Sequence, residues 1–266
     1  MLFRQTLAVA LLTASSPFAM TVGATAATLR VTVDNLGPSN GALTTPLWFG
    51  VHDGSFDLFD VGAAASTPLE RIAEDGDIAP LAAAFNGTAQ GVVFGPNTPP
   101  IAPGETGSTT FEINPAPSRS LYFSYAAMIL PSNDAFIGNE NARQFQIFDD
   151  NGNFTGANFV VPGALVWDAG TEVNDEAEAT TAFFSQANPD TGTPENGTVQ
   201  LHPGFDPNGR ILSRDRFANA DFTAPGYNVA RIQIEQVPEL GTEAVMLLGL
   251  VPLFCFWRRR LQKQAA

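Results

Sequence analysis

The sequence predicts an all-β fold, an antiparallel β-sandwich with one or two short helices inserted, and three observations carry that reading. Short runs of alternating apolar and polar residues recur along the chain, as half-buried strands require. Clusters of Gly, Pro and Asn, drawn from 24 Gly and 20 Pro, separate the runs at sandwich-like intervals. Aromatic residues favour strands, and 21 Phe stand against only 13 Lys and Arg together. The 266 residues suffice for one domain, or at most two.

In LRVTVDNL, Leu29, Val31 and Val33 alternate with Arg30, Thr32 and Asp34 and mark the opening strand. Further strands are read over 47–53, 108–113, 120–130, 143–149 and 230–237. One segment has a different period. In STPLERIAEDGD, Ser66 or Thr67 can cap a helix, Pro68 fits its first turn, and Leu69, Ile72 and Ala73 recur at helical spacing. A turn at Asp75-Gly76-Asp77 and a second short helix over Pro80 to Phe85 follow. Gln186 to Arg210, rich in Pro, Asn and Gly, reads as a long ordered loop or an edge.

Both ends read as sorting signals. Residues 1–26 combine Arg4, the apolar run Leu7 to Leu12 and a small-residue cleavage site at Ala24-Thr25-Ala26, which is an export signal peptide. Residues 237–266 carry about fourteen apolar residues from Ala244 to Trp257, then Arg258, Arg259, Arg260 and Lys263. The run is short of the roughly 20 residues a full span needs, and Pro252 interrupts it. The basic end belongs on the cytoplasmic side. This tail resembles the bacterial PEP-CTERM sorting signal, with Val237, Pro238 and Glu239 matching its motif and Leu240 in place of the second Pro. The resemblance implies export, a transient stay in the inner membrane, processing by an exosortase and delivery to the cell surface or extracellular matrix.

The body, 27–236, holds eight basic and 25 acidic residues, a net charge near −17. Nucleic acid is excluded as a partner, whereas a divalent cation suits such a surface. Cys255, the sole cysteine, lies in the tail, so the body has neither a disulfide nor a thiol nucleophile.

Catalytic patterns are thin, and the chain reads as no enzyme. His52 and His202 are the only histidines and have no zinc-ligand spacing. Ser55, His52 and Asp57 form a triad on paper only, with no nucleophile elbow. DDNGNFTGANFV, from Asp149, begins like an EF-hand loop but has Phe154 where Gly is required and Val160 where Glu closes the loop. A hairpin turn on Asn151-Gly152 explains it better. Three acids at strand ends, Glu112, Asp134 and Asp168, are the sharper set, because loops at one end of a sandwich can gather the several oxygens a hard cation wants. In WDAGTEVNDEAE, Asp168 belongs to this candidate set, while Asp175, Glu176 and Glu178 read as solvated charges.

Three ordered motifs, VHDGSFDLFDVGAAASTPLERIAEDGD, PSNDAFIG and WDAGTE, make the body similar to a spondin amino-terminal domain, the module of F-spondin, mindin and many bacterial exported proteins. The resemblance runs from about Leu29 to Val237. It implies an eight-stranded antiparallel sandwich like the calcium-dependent lipid-binding modules, with one structural calcium. By the family pattern the ion would be held by Glu112, the Leu130 carbonyl, Asp134 and Asp168, with Glu172 near it. Asn133 and Ala135 replace the Pro and Trp that flank the Asp in animal members, and the animal disulfide is absent. The function expected is a non-enzymatic calcium-binding adhesion or matrix module whose partner is a surface or matrix glycan or protein. An extracellular hydrolase of matrix polysaccharide or peptide is the alternative.

Overall fold

A computed structural model describes residues 26–97, 100–114 and 120–238. The export signal up to Thr25 and the sorting tail from Glu239 onward lie outside the described residues. In chain order the first half comprises β1 (Ala27–Asn35), β2 (Leu43–Thr44), β3 (Leu47–His52), α1 (Thr67–Asp75), α2 (Ala79–Ala84), β4 (Ala89–Val93) and β5 (Thr106–Ile113). The second comprises β6 (Leu121–Leu130), β7 (Ala135–Gly138), β8 (Gln146–Phe148), β9 (Ala157–Pro162), β10 (Trp167–Asp168), β11 (Gln200–Leu201) and β12 (Asn228–Gln236).

The protein is mostly β, in two antiparallel sheets stacked as a sandwich, as the alternation predicts. One sheet has the order β5-β1-β12-β9; the other runs β11-β10-β7-β6-β3-β4, with β2 and β8 added on β6. Eight strands, β1, β3, β4, β5, β6, β7, β9 and β12, have four residues or more. The rest are two or three residues long and trim the larger sheet.

Between the sheets lies the main core. Leu29, Val31 and Val33 of β1 and Ile232 and Ile234 of β12 face Phe49, Val51, Phe123 and Tyr125 of the larger sheet. The outer face of that larger sheet is also covered. Trp48, Ala126, Phe136 and Trp167 pack there with Leu69, Ile72 and Ala73 of α1 and Leu81 of α2. Every residue of β3 is therefore buried, and such a strand shows an apolar run rather than alternation. Gly50 has a physical reason in β3, because a Cβ there would meet the Phe85 ring at 2.5 Å.

Helix α1 starts and stops where its sequence says. Ser66 accepts the Leu69 amide at 3.4 Å, Pro68 occupies the first turn, and Gly76 closes the helix at φ 66° with its amide on the carbonyls of Arg71 and Ile72. Its apolar stripe lies on the larger sheet and carries one acid inward with it, Glu74, at 2% exposure. No described helix is long and apolar enough to cross a membrane.

Candidate metal centre

Strand pairing assembles the site. Asp134 ends the loop between β6 and β7, and Asp168 in β10 lies directly opposite Ala135, so two acids 34 positions apart meet side by side. After β10 the chain turns at Gly170, φ 68°, where a Cβ would strike Thr198 backbone at 2.6 Å. That turn folds two amides over Asp134: Thr171 N–H donates to Oδ2 at 2.8 Å and Glu172 N–H at 3.2 Å, with the Thr171 hydroxyl also at 3.2 Å. Asp168 accepts Gly170 N–H at 2.7 Å and the Asn174 amide at 2.9 Å. Glu172 Oε1 accepts Gly192 N–H at 2.6 Å, and Gly192 has no room for a Cβ.

Asp134, Asp168, Glu172 and Glu74 are all buried, yet Asp134 Oδ1, Glu172 Oε2 and Glu74 Oε2 have no hydrogen-bond donor. A buried carboxylate oxygen without a donor or a cation is costly. Electrostatics give the same picture. Burial pushes Glu74 up to about 8, with Glu172, Glu70 and Asp75 adding like charge. Glu172 is pushed up to about 7 by burial and by the charges of Asp134 and Asp75. Asp134 and Asp168 are raised as well, first by burial, and in Asp134 by the Asp168 charge. Arg71, on the same helix as Glu74, is spent on Asp75 at 2.6 Å and Asp190 at 3.7 Å. Buried carboxylate oxygens that repel one another once ionised fit a hard cation of several oxygen ligands, and calcium is such an ion. Among the described residues the acids whose carboxylate oxygens all lie within 4.8 Å of one another are Glu70, Glu74 and Asp190, and Glu74 feels the Glu172 charge from that group.

The residues expected from sequence divide. Asp134 and Asp168 are neighbours across the β7–β10 pairing and Glu172 donates its backbone N–H to Asp134, although their three carboxylates do not gather within 4.8 Å of one another. Leu130 ends β6, three residues before Asn133, opposite Leu43. Glu112 is not part of the cluster: it is exposed on β5, opposite Thr28, in the other sheet. Its strand hydrogen-bonds to β1, and that pairing holds it away from the loops around Asp134. Glu74 was missed. The signal was there in Glu70 and Glu74, like charges four apart on one helix, a spacing that repels unless something compensates.

The other acids of WDAGTEVNDEAE are not free either. Glu176 is buried and accepts the amides of Asp206 and Ile211. Asp175 caps Ala177 N–H at 2.8 Å, and Glu178 pairs with Arg214. Asp149 is spent on its own turn, accepting the Asn151 and Asn153 amides.

No catalytic group emerges from the histidines. His52 is buried, its Nε2 at 2.9 Å from the buried Ser124 hydroxyl and its Nδ1 accepting Gly54 N–H. Ser55 turns instead to Asp53, so the triad of Ser55, His52 and Asp57 does not form. His202 Nδ1 accepts Gly204 N–H, which leaves Nε2–H to donate to Asn174 Oδ1 at 3.1 Å. Asn174 in turn holds Asp168. Burial lowers His202 to about 4, so it is a neutral prop behind the acids.

Residues 42–195 match the family model described as Spondin_N, a stretch that contains Glu74, Asp134, Asp168 and Glu172. No curated protein matches the chain.

Proposed function

This chain belongs to the spondin amino-terminal family, and from that premise we propose that it is a non-catalytic, calcium-stabilised adhesion or matrix module. The family is one of extracellular adhesion and matrix modules. The carrying observation is the trio of buried carboxylate oxygens without donors, on Asp134, Glu172 and Glu74. In this reading Asp134, Asp168 and Glu172 hold the ion with Glu74, the Leu130 carbonyl closes the set, and Glu112 has no part. When bound, the ion supplies positive charge that ties the β6–β7 loop, the turn after β10 and α1 together. The role is structural, because the acids are used up in holding the ion.

Export follows from the signal over 1–26, and the tail over 237–266 would hold the module briefly at a bacterial inner membrane. An exosortase-type enzyme would then release it to the cell surface or matrix, where a glycan or protein is its partner.

Calorimetric titration of calcium into the chelator-treated chain, with melting followed in parallel, tests the reading. One-site binding that raises the melting temperature and is abolished by Asp134→Asn and by Asp168→Asn is expected, with Glu74→Gln weakening it. Neither heat nor a melting shift from the intact chain would sink it.

A further inference from the structure

Between Ala27 and Gln236 all eight basic residues are arginines, and three of them, Arg210, Arg214 and Arg216, fall within seven positions. In so acidic a body that is a local reversal of sign. Arg214 is neutralised by Glu178 and lies 3.9 Å over the Phe184 ring. Arg216 has no carboxylate partner among the described residues. Its guanidinium lies 4.7 Å from the centre of the Phe183 ring and 5.3 Å from that of Phe217. Stacking of this kind fixes the plane of a guanidinium while leaving its N–H edge available.

Arg216 lines a cavity of about 280 Å³. Leu43, Ala102 and Pro103 give it an apolar side; Ser39 and Asn40 give it a polar side. The polar side is held rigidly. Asn219 donates from its backbone to the Asn40 carbonyl at 3.0 Å and from its side chain to the Ser39 carbonyl at 2.8 Å. Two residues on, Ala42 N–H donates to the Tyr227 hydroxyl at 3.0 Å. The Ser39 hydroxyl and the Asn40 side-chain amide make no hydrogen bond of their own in the described structure, which leaves them to a ligand.

We propose that this cavity binds a carboxylate-bearing sugar unit, a hexuronate of an acidic glycan. A guanidinium edge matches a carboxylate through two parallel hydrogen bonds. One arginine balances one negative charge, so a monoanion fits better than a phosphate dianion. Hydroxyl and amide donors suit ring hydroxyls, and the Leu43, Ala102 and Pro103 side suits the apolar face of a sugar ring. The volume is near the lower end of small-ligand pockets, about 300 Å³, which matches one ring and not an extended chain. The repulsion of an acidic glycan by the negative body is largely screened beyond about 8 Å at physiological salt. The site is separate from the acid cluster in its chemistry and takes an anion where that cluster takes a cation.

The test is titration of the full chain with sodium galacturonate and with galactose at physiological salt, once with calcium and once with chelator. Saturable galacturonate binding is expected, with galactose weaker by about tenfold or more. Arg216→Gln should weaken galacturonate by about tenfold, Arg216→Lys by less, and Arg210→Gln not at all. The lysine variant keeps the charge, so it guards against a loss caused by misfolding, as does a melting curve on each protein. Equal binding of the two sugars, unchanged affinity in both Arg216 variants, or an equal loss in Arg210→Gln would overturn the site. A missing calcium response beside retained galacturonate binding would count against the metal centre alone.

Discussion

Glu176 joins two loops through one carboxylate: Oε1 accepts Asp206 N–H at 2.9 Å and Oε2 accepts Ile211 N–H at 2.8 Å. Gly209 leaves the space, for a Cβ there would come within 2.3 Å of Oε2. Glu176→Ala strands two amides, one of them on the buried Ile211, and should cost about 2–4 kcal/mol. Glu176→Gln, which keeps one acceptor, should cost about half as much. Urea unfolding of the two variants checks the order, and equal costs would show that the carboxylate is not the link. The sequence reading of Glu176 as solvated fails for a plain reason. Its partners lie 30 and 35 positions away, in a Pro- and Asn-rich loop whose path no local pattern reveals. The neighbourhood of Asp134 and Asp168 was legible because each follows or ends an apolar strand run.

At the scale of elements, α1 is the part that local chemistry specifies best. Its cap, its first-turn proline and its closing glycine were all readable, and they set where Glu74 points. Gly76→Ala tests this. It puts a Cβ on a residue at φ 66° and drives it to 2.5 Å from Thr45 Cγ2, so a loss of about 2 kcal/mol is expected in urea unfolding. The calcium response should weaken too, since the helix end holds one of the acids. Alternation alone did not decide which strands were legible, since the buried β3 and β6 were read from their apolar runs and the alternating β9 was not read. β1 and β12, buried on one face, were read within two residues of their ends. β7 is buried throughout, β4 has Gly91 in its middle, and β2, β10 and β11 are two residues long, so none shows a period. Glu112 was misjudged at this same scale, because a strand end looks alike whichever sheet it joins.

For the whole molecule the sandwich was readable and the meeting of α1 with the β6–β7 loop was not, because that contact belongs to the third layer and not to either sheet. Burying four acids in that region has a consequence for pH. Glu74 and Glu172 titrate near 8 and near 7 in the fold, against roughly 4.3 in an unfolded chain. Between those limits the folded state binds more protons, so without an ion each contributes less stability as pH rises. His202 acts the other way: its folded value of about 4 lies below the unfolded 6.5, so its contribution is full above 6.5 and is lost as pH falls towards 4. The rise in melting temperature produced by calcium, taken as a difference at each pH, removes the His202 contribution. Calcium must displace the protons on Glu74 and Glu172, and each costs about tenfold in affinity per pH unit below its folded value. The increment should therefore be near zero at about pH 5 and largest at about pH 8. An increment that stays constant across that window would mean that the ion is held by acids other than these, and would separate the metal site from the buried cluster.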